Sequence, residues 1–209
     1  MNIAVVGADG RSGRAFIDCA VQAGHTVRAG FMRGSIPASA QVVPMHCDAT
    51  DADEVSRLVE GADAVVSLIG HVKGSPADVQ TNAMQTIIAA MHAHGCPRLI
   101  SLTGTGVRFP GDRITLVDRL LNWAVTMVDR PRIEDGRRHA VLLQQSRLDW
   151  TLIRVLKLMD SRPKPFTLKA HGPTKWYVSR VDVAKAILEV LERGNFVGEA
   201  PIIGTFSKK

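Results

Sequence analysis

Three glycines spaced Gly7-x-x-Gly10-x-x-Gly13 follow directly on the apolar run Ile3–Val6. Strand, glycine loop and helix in that order are what a dinucleotide pyrophosphate needs. Gly7 permits a tight turn, Gly10 lets the backbone approach the phosphates, and Gly13 lets helix and strand pack closely. A helix opening at Ser12 would offer free N–H groups and its positive dipole end to the anion. Asp9, Arg11 and Ser12 lie in the same loop and belong to the expected cofactor site. Arg33 stands 20 residues beyond Gly13, where NAD-binding folds carry a carboxylate for the ribose 2′-hydroxyl. No carboxylate is present at the tip of this second strand, Ala29-Gly-Phe-Met-Arg33. A guanidinium there can grip a 2′-phosphate through paired hydrogen bonds, which favours NADP over NAD. The competing reading of Arg33 is a solvated loop residue.

Further along, Asp48 follows the third expected strand and suits either a polar contact near the adenine or the capping of the next helix. Leu68-Ile69-Gly70 closes the fourth strand, and Thr103-Gly104 closes the fifth, so both would run beside a bound cofactor. A carbonyl acceptor would also need a hydrogen-bond or proton donor near its forming alkoxide. Thr103 is the best placed candidate, although a hydroxyl there could simply bind backbone or cofactor. His139 has the right chemistry for a general acid but fits helix packing better. His92 and His94, two residues apart, fall off a common helical face and make a poor metal pair, so no metal site is expected.

The elements that must position these residues alternate along the chain. Strands are expected at Asn2–Val6, His25–Phe31, Gln41–His46, Ala64–Ile69, Arg98–Leu102, Trp150–Val155 and Pro201–Ile203. Helices are expected at Ser12–Ala23, Asp51–Glu60, Pro76–His94, Ile114–Val128, Glu134–Gln145 and Arg180–Glu192. In the second of these, Thr50 or Asp51 is the N-cap; in the last, Ser179 opens the helix with Asp182 in the capping-box position. Continuous apolar runs such as Ala64–Ile69 are typical of buried parallel strands. The alternation predicts an α/β fold, a doubly wound parallel sheet covered by helices on both faces. One domain over residues 1–209 is expected, with substrate-side segments near 104–135 and 156–178. Ser161–Lys175, rich in Pro and Lys, reads as a flexible loop, and Gly104–Arg113 as a second. Trp123 and Met127 are expected in the core, with lining of the cleft or cover for a partner subunit as alternatives.

Composition narrows the class. The chain is 45% hydrophobic and 22% charged, an ordinary globular balance. Its net charge of +6 is spread along the sequence apart from Arg137-Arg138 and the Lys208-Lys209 tail. No helix-turn-helix pattern or aromatic-interleaved basic stretch accompanies it, so a nucleic-acid partner is not expected. No apolar run approaches a membrane span, and a strand at the very start leaves no room for a signal peptide. Three cysteines without close spacing argue against disulfides and zinc. A cytoplasmic protein, monomeric or homodimeric and acting on a small molecule, is the expectation.

The glycine motif, Asp48, Ser146-Arg-Leu-Asp-Trp-Thr-Leu-Ile-Arg154 and Val178-Ser-Arg-Val-Asp-Val-Ala184 together resemble the atypical short-chain dehydrogenase/reductases. The nearest branch is the NAD(P)H-binding group with NmrA-like proteins and biliverdin/flavin reductase B-like enzymes, and the likeness spans nearly the whole chain. The resemblance implies a Rossmann-like fold, NADP(H) binding and a substrate cleft at the carboxyl edge of the sheet. One departure is the Tyr-x-x-x-Lys pair of the wider family: the only tyrosine is Tyr177, and no lysine follows four residues later. A second follows the sixth strand, where relatives often continue Arg with Pro and this chain reads Arg154-Val-Leu-Lys157. By the resemblance, Val155 would lie near the nicotinamide and Lys157 would face the substrate. An NADPH-dependent reductase of a small cyclic, quinone or flavin-type acceptor is the leading expectation. A non-catalytic NADP(H) sensor acting through a protein partner is the alternative.

Overall fold

Alternating strands and helices call for a sheet covered on both faces, and the chain builds one. The computed structural model describes residues 1–205 except Lys73, Ile114, Lys175 and Trp176, and leaves out the side chains of Val125 and Val128. The basic tail, Ile114 at the start of one expected helix, and Lys175 at the end of one expected loop thus lie outside the described residues.

β1 (Asn2–Val6) leads into α1 (Arg11–Gln22), followed by β2 (Thr26–Phe31) and β3 (Val42–His46). Next come α2 (Ala52–Val59), β4 (Ala64–Ser67), α3 (Val79–His94) and β5 (Arg98–Gly104). Two nearly continuous helices, α4 (Leu116–Val128) and α5 (Arg130–Gln145), precede β6 (Asp149–Val155). Short strands β7 (Lys157–Met159), β8 (Phe166–Lys169) and β9 (Tyr177–Ser179) are followed by α6 (Arg180–Arg193) and β10 (Ile202–Thr205).

The main sheet has eight strands in the order β3-β2-β1-β4-β5-β6-β10-β8. All its pairings are parallel except β8 against β10, with Leu168 opposite Ile203. Alternate residues of β1 serve opposite faces, as the period of two requires. Ile3 and Val5 join a core with Phe16, Ala20, Val183 and Ile187 of α1 and α6. Ala4 and Val6 join a second core with Leu58, Met84, Ile87 and Leu143 of α2, α3 and α5. Each fully buried Val, Leu, Ile, Phe or Met among them contributes roughly 1.5–3 kcal/mol. The strand order reverses between β1 and β4, and there a doubly wound sheet opens a crevice at its carboxyl edge.

The structure corrects several expectations. α5 begins at Arg130, four residues before the expected Glu134, because Asp129 accepts a hydrogen bond from the Arg132 amide and Pro131 suits a first turn. α3 begins at Val79, three residues after Pro76. Ser161–Lys175 is more than a loop: Phe166–Lys169 pairs with β10 and covers what would be an open sheet edge. β10 itself runs to Thr205, past the expected Ile203. Ser179 caps α6 as expected, its Oγ accepting from the Asp182 amide at 3.0 Å, but only half of the capping box forms: the Asp182 carboxylate accepts the Ser179 hydroxyl at 2.6 Å and the Lys164 amide at 3.0 Å. Trp123 and Met127 are neither core nor cleft: at 61% and 71% exposure they stand with Leu116 and Leu120 on the outer face of α4. The inner edge of α4 is held by polar contacts instead, with Asp118 accepting from Thr105 Oγ1, Arg108 and Asn122.

One buried cation ties the substrate side to the sheet. Arg154 of β6 is fully buried, and its Nε donates to Ala200 O at 2.7 Å. Its other N–H groups reach Val107 O, Ala170 O and both oxygens of Asp112, and Phe109 stacks on the guanidinium at 4.9 Å. Burial pulls the Asp112 carboxyl upward, but the bonds from Arg154 and the Phe109 amide outweigh it and hold it below the usual value.

Candidate active site

The glycine loop has the geometry its spacing suggests. Gly7 sits at φ +80°, a left-handed conformation that side chains disfavour. At Gly13 a Cβ would lie 2.4 Å from Gly7 O and 2.7 Å from Ala8 Cα, so loop and helix can touch only because it is glycine. Gly10 is the N-cap of α1 and supplies no side-chain hydrogen bond to it. The first N–H groups of α1 are therefore left for a ligand.

In front of that helix end lies a cleft of about 470 Å³. Gly10, Arg11 and Ser12 form one wall, and Leu68, Ile69 and Gly70 continue it. Thr103, Gly104, Val155 and Lys157 stand across from them. These ten expected residues are brought together; Gly7 and Gly13 shape the loop from behind. Nothing lies within 4 Å of where a Gly70 Cβ would stand. Among the described lining residues the charged groups are Arg11, Arg132, Lys157 and Arg180, and none is a carboxylate. At the mouth Asp160 bridges two of these cations, meeting Arg11 at 2.9 Å and also pairing with Arg180.

Arg33, Asp9 and Asp48 lie outside the cleft wall. Arg33 is exposed, and its amide donates to Asp9 Oδ2 at 3.0 Å, which fixes the turn after β2 against the glycine loop. Arg14 joins the same corner, donating to Asp9 O at 3.2 Å and Ser35 O at 3.3 Å. Asp48 is occupied locally. Its Oδ1 accepts from the Thr50 amide at 2.9 Å and the Thr50 hydroxyl at 2.7 Å, and those bonds lower its carboxyl pKa. The cap of α2 is Asp51, which accepts from the Glu54 amide.

The inner end of the cleft holds residues that sequence reading missed. Asp135 of α5 is fully buried, and its carboxylate accepts from the Gln80 amide at 2.9 Å and the Thr81 amide at 3.0 Å. It thus caps α3 from another helix, while the native N-cap residue Asp78 makes no side-chain bond. His71, on the cleft wall after Gly70, meets Asp135 Oδ2 through Nε2 at 2.8 Å. Burial pushes the Asp135 carboxyl up, but the bonds from Thr81, Gln80 and His71 prevail and keep it below its ordinary value. Gln80 also donates to Ile69 O at 2.9 Å, joining β4 to this cluster. A Cβ at the next residue, Gly136, would approach Thr103 Oγ1 to 3.0 Å, so Thr103 sits against the same turn of α5. His139, four residues after Asp135, is core instead: it is 1% exposed, bonds Ser101 at 3.0 Å, and burial pushes its pKa down to about 4. A histidine straight after a strand-closing glycine was the available signal for His71, since ligands of open sheets bind at that edge.

The site fits a dinucleotide. An uncapped helix end, a side-chain-free Gly10, open space at Gly70 and a cationic lining are what a pyrophosphate would require. Residues 7–194 match the NAD(P)H-binding family. Among solved structures, a short-chain dehydrogenase/reductase from Veillonella parvula DSM 2008 superposes with a TM-score of 0.82 at 17% identity, over 98% of this chain and 94% of its own. A wide-type short-chain dehydrogenase/reductase from the same organism, in complex with NADP, gives 0.80 at 18% identity over 97% and 94%. A proposed NADH-flavin reductase from Streptococcus pneumoniae TIGR4 gives 0.77 at 19% identity over 97% and 98%. These likenesses establish a shared fold, and the match over residues 7–194 establishes more: the chain belongs to the NAD(P)H-binding family.

Proposed function

We propose that the protein is an NADPH-dependent reductase of a small cyclic, quinone or flavin-type acceptor. The observation that carries this reading is the single cleft running from the free end of α1 to Thr103 and Lys157. The bound nicotinamide would supply a hydride, and the chain's task is to orient it and exclude water. Arg11 and Ser12 would hold the pyrophosphate with the α1 amides. Arg33, aided by Arg14 on the same corner, would take the 2′-phosphate. Thr103 would hydrogen-bond the acceptor or the nicotinamide carboxamide, and Lys157 would offer a cation to the acceptor.

Titration of NADPH and NADH by fluorescence tests the cofactor. Arg33→Ala is expected to weaken NADPH about tenfold and leave NADH unchanged, the loss of one charge-assisted contact. Equal affinities for the two cofactors before and after the substitution would overturn the NADP preference. A panel of quinones and flavins then tests turnover, and no NADPH oxidation with any member, cofactor binding being intact, would overturn the reductase. The missing Tyr-x-x-x-Lys pair supports a second reading, a redox sensor whose partner binding changes with cofactor. Pull-downs giving identical partners with and without NADPH would remove it.

A further inference from the structure

The geometry points to His71 as the proton donor to the acceptor, with Asp135 as the residue that positions its ring. The inference rests on the reductase reading and supplies the group that the absent tyrosine would otherwise provide. Four observations carry it. His71 lines the cleft on the strand β4 side, its side chain only 11% exposed. Its Nε2 is committed to Asp135 Oδ2 at 2.8 Å, so the ring is held in one orientation with Nε2 carrying a proton. No other hydrogen bond to the ring is present among the described residues, which leaves Nδ1 for a ligand. Asp135, finally, is the kind of partner that stabilises an imidazolium: fully buried, ionised, and fixed by three bonds from Gln80 and Thr81 that do not depend on His71.

That last point weighs against a purely structural pair. The α3 cap is already complete without the histidine, whose ring stands on a cleft wall. Thr103 and Gln80 abut the same turn of α5, so the dyad faces the region where Thr103 stands.

The step balances as follows. A conjugated cyclic carbonyl, an enone or a quinone, accepts a hydride from the reduced nicotinamide at one end of its π system. The π pair of the far C=O bond moves onto that oxygen. The Nδ1–H bond of the His71 imidazolium breaks, its electron pair stays on nitrogen, and an O–H bond forms. The hydride that a bound reduced nicotinamide would supply carries the two electrons the acceptor gains, and the neutral ring of His71 recovers its proton from water.

Two measurements on the full-length protein test this. In ¹⁵N-histidine-labelled protein, NMR in the presence of NADPH is expected to show His71 with protons on both Nε2 and Nδ1 in the wild type, and a loss of the Nε2 proton's hydrogen-bonded shift in Asp135→Asn. In turnover with menadione and NADPH, His71→Ala is expected to lose about 10²–10⁴-fold in kcat, to keep its NADPH affinity, and to regain activity with added imidazole. A His71→Ala protein as fast as the wild type, or a ring whose Nε2 carries no proton, would overturn the assignment while leaving the reductase standing. A wild type that reduces nothing on the quinone and flavin panel would overturn both together.

Discussion

A single Cβ separates a dinucleotide loop from a broken one at Gly13. Gly13→Ala puts that atom 2.4 Å from a backbone oxygen and 2.7 Å from Ala8 Cα, and neither neighbour is the flexible end of a side chain. The loop must shift, at roughly 1–3 kcal/mol for an overpacked site. We expect NADPH affinity, measured by fluorescence titration, to fall at least tenfold. Gly10→Ala should be milder in the empty protein, because its Cβ would meet only Gly7 O at 3.3 Å. These roles could be read from sequence because each is local: three glycines within seven residues define their own geometry. The His71–Asp135 contact spans 64 residues and depends on where α5 packs against α3, so no pattern along the chain announces it. Asp48 shows the reverse case, a residue in a suggestive position with one carboxylate oxygen taken by its own turn.

The elements β1 and β4 follow from continuous apolar runs, as strands buried on both faces allow, and β2, β3, β5 and β6 from shorter apolar stretches between helix and turn signals. The substrate side follows different rules. β7, β8 and β9 are three or four residues each, too short for periodicity to register: β8 exists because β10 offers an edge, and β7 and β9 pair with each other in a separate parallel ribbon, Leu158 opposite Val178. α4 misled for a related reason: its apolar residues keep helical spacing, yet Leu116, Leu120, Trp123 and Met127 face outward while Asp118 and Asn122 do the anchoring. At this scale Arg154 is the decisive residue. Arg154→Met leaves Asp112 without its counter-ion and three carbonyls without donors, and denaturant unfolding should show a loss of about 3–5 kcal/mol. Arg154→Met combined with Asp112→Leu should lose less than the sum of the two single changes, because the stranded charge is gone.

For the molecule as a whole, acid is the condition that its buried groups resist least. Burial first, only partly offset by nearby Asp135, pushes the His139 pKa down to about 4 from 6.5. The unfolded chain therefore binds this proton more readily, so the stability held above pH 6.5 is lost progressively as the pH falls towards 4. Asp112 and Asp135, whose carboxyl pKa values lie below the ordinary range, extend the loss below about pH 4. Thermal melts across that range should show the decline, and His139→Gln should flatten the part between pH 6.5 and 4. The formal charge of +6 has a consequence of another kind. A cleft walled by arginine and lysine, with no carboxylate among its described lining residues, draws an anion inward while it is still diffusing. Raising the ionic strength from about 0.01 to 0.15 M shortens the Debye length from roughly 30 to 8 Å. Stopped-flow association rates for NADPH should drop accordingly and dissociation rates should change far less, which makes the charge of this chain a matter of capture speed.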